Sequence, residues 1–71
     1  MASRSARPSN LTYPCYWKYP DNRGEWRWVY YASNGEEIAV SSEGYVHEAD
    51  CQRGIDIMKA SSNSTVYRSS S

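Results

Sequence analysis

The chain has few large aliphatic residues from which to build a core. It contains one leucine and three isoleucines, but seven tyrosines, three tryptophans and no phenylalanine. Tyrosine and tryptophan combine an apolar ring with a polar group, so they favour half-buried sheet surfaces and interfaces over sealed interiors. We therefore expect a sheet-based fold whose core consists mainly of aromatic rings.

The length and the terminal composition limit the class of protein. With 71 residues, the chain makes one small domain that buries roughly 60% of its unfolded surface, so its stability is marginal. No apolar run approaches the roughly 18 residues of a membrane-spanning helix. The first ten residues, MASRSARPSN, lack the apolar region of a secretory signal. These features predict a cytoplasmic protein without membrane association, with Cys15 and Cys51 as free thiols.

The charge distribution argues against nucleic acid as the main partner. All eight acidic residues lie between Asp21 and Asp56, and residues 18–59 carry five basic residues, a balance of 5 − 8 = −3. Proteins that bind nucleic acid usually carry a basic stripe on their folded part. The folded part of this chain is mildly acidic instead.

Turn signals and apolar spacing divide the chain into elements. We predict a disordered leader over 1–11, one domain over 12–68 and a disordered tail over 69–71. Strands are predicted over 13–19, 25–32 and 36–41, a helix over 46–60 and a short last strand over 65–68. The helix is indicated by Cys51, Ile55 and Met58, which recur at spacings of four and three. Gly54, inside this helix, indicates close packing of the helix against the sheet beneath a tryptophan.

Two loops are compatible with the second hairpin. A two-residue Asn34-Gly35 loop pairs residues whose numbers sum to 69, whereas a three-residue loop with Gly35 in a left-handed bulge shifts the sum to 68. The three-residue loop places Tyr30 opposite Ile38, so that one face becomes wholly apolar, and burial then selects this register. The predicted core accordingly consists of Trp26, Trp28, Tyr30, Ile38, Val40, Cys51, Ile55 and Met58.

The opposite face of the sheet is the candidate binding surface. One helix covers only one face, so Arg27 and Tyr31 are expected on a face that is either wet or an interface. Aromatic residues stand at both alternating positions of the first strand, so its two orientations stay open, and in one of them Tyr16 and Lys18 join Arg27 and Tyr31. Aromatic rings beside arginine on an antiparallel sheet can stack bases of single-stranded RNA. In the competing interpretation, which we favour, Arg27 pairs across the strands with Ser41, near Glu37 and Glu43.

The residues do not assemble a catalytic or metal site. His47 lies four residues before Cys51, but two ligands do not make a metal site, and no third group orients the pair as base and nucleophile. Cys51 also belongs to the apolar stripe of the helix, which favours a small buried hydrophobic residue. We therefore predict no enzyme activity, no metal and no cofactor.

Three segments in this order resemble the YegP-like family of small uncharacterised bacterial proteins: GEWRW at 24–28, SNGEEIAVSSEGY at 33–45 and ADCQRGIDIMK at 49–59. The resemblance implies an α+β unit of three antiparallel strands, a helix packed on one face and a final strand. With a single copy of this unit, it further implies a homodimer that exchanges the last strand, here Thr65, Val66, Tyr67 and Arg68. No biochemical activity is established for that family.

Two functions of different classes follow from these features. The first is a non-enzymatic protein that self-associates as a homodimer and binds another protein or a small ligand. The alternative is a weak binder of single-stranded nucleic acid that uses the aromatic and arginine face of the sheet.

Overall fold

The computed structural model describes residues 7–70 and shows a three-stranded antiparallel sheet with one helix. The strands are β1 (Cys15–Pro20), β2 (Trp26–Tyr31) and β3 (Glu37–Val40), in the order β1-β2-β3. The helix α1 (Glu48–Ala60) follows, and a 3-10 turn (Ser61–Asn63) ends the regular structure. The predicted α+β class, with three strands and a helix, is confirmed.

The register of β1 against β2 assigns the aromatic residues of β1 to two faces. Tyr16 lies opposite Tyr30, and Lys18 lies opposite Trp28. Because side chains alternate along a strand, Tyr16 and Lys18 share the face of Trp28, where α1 packs. Trp17, between them, lies opposite Val29, and both fall on the other face.

The second hairpin begins as predicted and then departs from the predicted register. Its loop has three residues, with Gly35 in the left-handed conformation at φ 84°. Tyr31 pairs with Glu37, so the numbers of these paired residues sum to 68, as predicted for the three-residue loop. A bulge then follows, so that Tyr30 pairs with Ala39 and Val29 with Val40, a sum of 69.

Because of this bulge, the prediction that Ile38 and Val40 belong to the core is wrong. Ile38 is the extra residue on β3 and is 57% exposed, while Val40 is 48% exposed. Ala39 packs against the cluster on the helix side instead, and the Trp28 backbone N–H donates to the Ser41 hydroxyl over 3.3 Å. Small side chains fit here because the rings of Trp28 and Tyr30 already fill this side of the sheet.

The helix begins two residues later than predicted. Its N-cap residue, His47, makes no side-chain hydrogen bond to the first turn, as expected of a residue type that caps poorly. Cys51 and Ile55 are buried as predicted, but Met58 is 40% exposed and does not belong to the core. Met58 lies in the last turn of α1, and α1 contacts β1 and β2 but not β3.

The prediction for Gly54 is confirmed. A Cβ atom at this position would lie 3.3 Å from Trp28 Nε1 and 3.1 Å from the Tyr45 hydroxyl oxygen. Only glycine allows the helix to approach the tryptophan this closely without displacing either ring.

The sheet carries a hydrophobic cluster on each face. On the helix side, Trp28, Cys51 and Ile55 are buried, and Tyr16, Trp26, Tyr30, Ala39 and Tyr45 pack around them. On the second face, Tyr19, Val29 and Tyr31 are buried beneath Leu11, Tyr13, Cys15 and Trp17. Of the two expectations for this face, wet or an interface, the wet one is wrong, because Leu11 and Tyr13 from the segment before β1 cover it together with Cys15 and Trp17 of β1.

The two ends of the chain differ in their contacts. Residues 1–6 of the predicted leader lie outside the described residues, but Leu11 packs on the sheet, so the contacts of the domain begin before residue 12. Thr65–Arg68 form no strand in the described chain, and Val66 and Tyr67 are each 90% exposed. None of the described helices is long and apolar enough to cross a membrane.

Candidate functional site

The structure separates the four residues of the predicted binding face. Tyr16 and Lys18 lie on the helix side, whereas Arg27 and Tyr31 lie on the second face. Tyr31 is only 1% exposed, so its ring is not available to stack on a base. The single surface that the alternative of nucleic-acid binding requires is not formed.

Arg7 closes the second face over Tyr31. Its guanidinium carbon lies 4.5 Å from the centre of the Tyr31 ring and 5.9 Å from that of Tyr13. Its Nη1 also donates to the carbonyl oxygen of Gly35 over 2.9 Å. A cation over an aromatic face is stabilising, more so where water is partly excluded, so Arg7 joins the N-terminal segment to the second hairpin.

Arg27 has a different partner from the one predicted. Its Nε donates to Asp21 Oδ2 over 2.8 Å, and Ser41, the predicted neighbour, lies opposite Trp28. The other carboxylate oxygen of Asp21 accepts from the backbone N–H groups of Arg23 and Glu25. The hydrogen bond from Arg27, followed by those two backbone donors, lowers the pKa of the Asp21 carboxyl. Arg27 therefore stabilises the β1–β2 turn.

This arrangement predicts a pH-dependent cost for Asp21→Asn. A carboxyl with a lowered pKa in the folded state stabilises the fold above its unfolded value near 4, and that contribution is lost as the pH falls through the folded pKa. We expect D21N to lower the free energy of unfolding at pH 7 and the difference from wild type to shrink below pH ~4. Urea unfolding at several pH values measures this, and a difference that is constant with pH would contradict it.

The two residues considered for thiol or metal chemistry do not form a site. The Cys51 side chain is fully buried in the cluster on the helix side, and burial raises the pKa of its thiol, with a smaller upward contribution from Glu48 that opposes Lys18. A buried thiol with a raised pKa is a poor nucleophile. Across residues 7–70, no group of three or more histidine, cysteine or acidic residues is placed to hold a metal ion.

An open groove of about 390 Å³ lies between α1 and the first two strands. Its sheet side is formed by Pro14, Cys15, Tyr16, Lys18 and Tyr30, and its helix side by Gln52, Ile55 and Lys59. Tyr16 and Tyr30 face each other across β1 and β2 with ring centres 4.8 Å apart. We call this feature the α1–β1 groove. It brings aromatic rings next to two lysines.

The two lysines of the α1–β1 groove differ in their surroundings. Lys18 Nζ lies 3.1 Å from Glu48 Oε2, and the Lys18 side chain is 27% exposed. Lys59 is exposed and makes no ion pair among the described residues. Burial, and to a lesser degree Tyr30, raises the pKa of the Tyr16 phenol, so this ring stays neutral at physiological pH. The groove therefore combines an aromatic floor with positive charge at its rim.

The sequence interpretation missed the helix side of the α1–β1 groove. Gln52, Ile55 and Lys59 lie at spacings of three and four, which places them on one stripe of the helix. That stripe lies beside the buried stripe of the helix and contains both polar and apolar residues. Such a mixed composition predicts that this side of the helix borders a groove. Tyr16 and Lys18 line the groove only because their side chains point to the helix side of the sheet, and the sequence leaves the orientation of β1 open.

A family model described as a domain of unknown function, DUF1508, matches residues 21–67. The chain belongs to this family. Two curated relatives, both named UPF0339 proteins, come from serogroup B and serogroup A strains of Neisseria meningitidis. Each is 40% identical over 47 residues, which cover 66% of this chain and 82% of the relative. The predicted resemblance to a small uncharacterised family is confirmed.

The DUF1508 match divides the structure at the first turn. It begins at Asp21 and includes β2, β3, α1 and the chain through Tyr67. The matched region is preceded by β1 and by residues 7–14, which pack on the second face. The helix side of the α1–β1 groove therefore belongs to the DUF1508 unit, whereas most residues of its sheet side lie outside that unit. No solved structure matches the chain significantly.

Proposed function

We propose that this DUF1508 protein is a non-enzymatic interaction module that self-associates as a homodimer by exchanging residues 65–68. The observation that carries the proposal is the exposed tail. Val66 and Tyr67, each 90% exposed, contact no core of their own chain, although the match to the DUF1508 family extends to Tyr67. Full burial of each such side chain is favourable by roughly 1.5–3 kcal/mol.

The outer edge of β3 is the acceptor that we propose for this tail. β3 pairs with β2 on one side, and no other strand of the described chain lies on its outer edge. Ile38 and Val40 on this strand are about half exposed. A strand with no neighbouring strand on one side is a template for another strand, and a tail from a second copy would pair with this edge and cover its apolar side chains.

The non-enzymatic part of the proposal has separate support. Cys51 is buried with a raised thiol pKa, and the His47 residue lies exposed at the start of α1 without a side-chain hydrogen bond to the first turn of the helix. Two oppositely charged pairs, Asp21 with Arg27 and Glu48 with Lys18, are each engaged in an ion pair. Such pairs stabilise a fold rather than transfer protons.

The test compares the solution mass of the full chain with that of V66S/Y67S. We expect wild type to scatter light with twice the 8.1 kDa chain mass and the double variant to be monomeric. Because both side chains are exposed in the single chain, the substitutions leave its fold intact. The matched control is V46S/I57S, which removes two exposed apolar side chains elsewhere and is expected to remain dimeric. A monomeric wild type would overturn self-association, and a dimeric V66S/Y67S would overturn the exchange alone.

A further inference from the structure

The lining of the α1–β1 groove differs in charge from the rest of the domain. It contains two lysines and no carboxylate, although residues 18–59 as a whole carry a balance of 5 − 8 = −3. Lys18 is partly neutralised by Glu48 at 3.1 Å, whereas Lys59 keeps an unpaired ammonium group within the described chain. A cationic rim on an acidic domain attracts an anion specifically to this place.

The floor of the groove favours a ligand that has a flat apolar ring in addition to a negative charge. Tyr16 and Tyr30 present neighbouring rings inclined at 47°, and Ile55 adds an aliphatic wall from α1. Rings of this kind favour offset stacked or edge-to-face contact with another aromatic group. Cys15 contributes to the end of the groove, but it also packs against the cluster on the second face, so we assign its thiol no role.

The volume fits a small molecule rather than a polymer. About 390 Å³ lies at the lower end of the roughly 300–1,000 Å³ typical of small-molecule sites, which are mostly apolar with a few polar groups that fix orientation. A polyphosphate needs several cations or a row of backbone N–H groups, and the groove offers one unpaired ammonium.

We infer that the α1–β1 groove binds a small aromatic carboxylate, with the ring of the ligand against Tyr16 and Tyr30 and its carboxylate at Lys59. All of the lining residues come from one chain, so this inference does not depend on the proposed dimer. The ammonium group of Lys59 supplies the selectivity for charge, and the two tyrosines supply the selectivity for a flat ring.

The experiment titrates the full chain with 2-naphthoate and with its neutral isostere 2-naphthamide, followed by amide NMR shifts. We expect saturable shifts at Tyr30, Gln52 and Ile55 with naphthoate, and an affinity about fivefold lower for naphthamide. K59Q is expected to lower the affinity for naphthoate by about fivefold and to leave the affinity for naphthamide unchanged. K59R, which keeps the positive charge, is expected to bind naphthoate with nearly the affinity of wild type.

The matched control is R53Q, which removes an exposed cation of the same helix that does not line the groove. It is expected to leave both affinities unchanged. The inference is overturned by an absence of saturable shifts up to about 10 mM naphthoate, by equal binding of the acid and the amide, or by equal effects of K59Q and R53Q. Shifts confined to residues outside the groove would overturn it as well.

Discussion

Trp28→Ala is expected to remove a large part of the free energy of unfolding of the protein. Trp28 is 6% exposed and is the largest side chain in the cluster with Cys51 and Ile55. Removal of a buried tryptophan costs about 3–5 kcal/mol, which compares with a total stability of only about 0.05–0.15 kcal/mol per residue for a small domain. Circular dichroism with urea unfolding measures the loss, and a variant within about 1 kcal/mol of wild type would contradict this packing.

Trp28→Phe is the matched control and separates the ring from its N–H group. Among residues 7–70, the buried Nε1–H of Trp28 has no hydrogen-bond acceptor. Phenylalanine therefore removes no hydrogen bond and loses only part of the ring, so a smaller cost of about 1–2 kcal/mol is expected. If W28F were as unstable as W28A, the indole N–H would have to make a bond in solution that the described contacts lack.

Val29→Asp is expected to abolish folding at neutral pH. Val29 has no exposed surface and lies in the cluster on the second face with Tyr19 and Tyr31. An unpaired carboxylate in such a place costs several kcal/mol even after relaxation. The dispersion of amide NMR signals at pH 7 reports whether the variant folds.

The outcome for Val29→Asp decides between a covered and an open second face. If that face were wet, which is one of the two possibilities that the one-helix argument leaves, an aspartate at this position would be tolerated. Val46→Asp is the matched control because Val46 is 71% exposed, and its stability is expected to stay within about 0.5 kcal/mol of wild type. A folded V29D would show that the N-terminal segment does not cover the sheet.

The elements of local origin could be predicted from the sequence. The three-residue loop around Gly35, the stripe of Cys51 and Ile55 and the close approach at Gly54 each depend on a short spacing or on a conformation that few residue types adopt. The helix start was predicted two residues early because His47 gives no cap signal. The family resemblance was read from residues 24–59, within the matched segment.

Contacts between distant segments could not be predicted. Arg7 bonds to the Gly35 carbonyl across 28 positions of the chain, and nothing in an irregular Arg, Pro and Ser segment indicates such a partner. The faces of β1 were undecided because aromatic residues stand at both alternating positions. The bulge at Ile38 had no local signal, since its cause is the space left by the rings of Trp28 and Tyr30 on the neighbouring strand.

The N-terminal segment that packs on the second face contributes no strand to the sheet. Residues 7–14 precede β1 and contain no helix or strand, so their hold on the second face consists of side-chain packing and the contacts of Arg7. Proteolytic removal of this segment would leave every strand pair in place while taking Leu11, Tyr13 and the Arg7 guanidinium away from the cluster of Val29 and Tyr31. The same sheet would then present a second apolar surface, so the length of the N-terminus determines how many faces of this small domain are available to a partner.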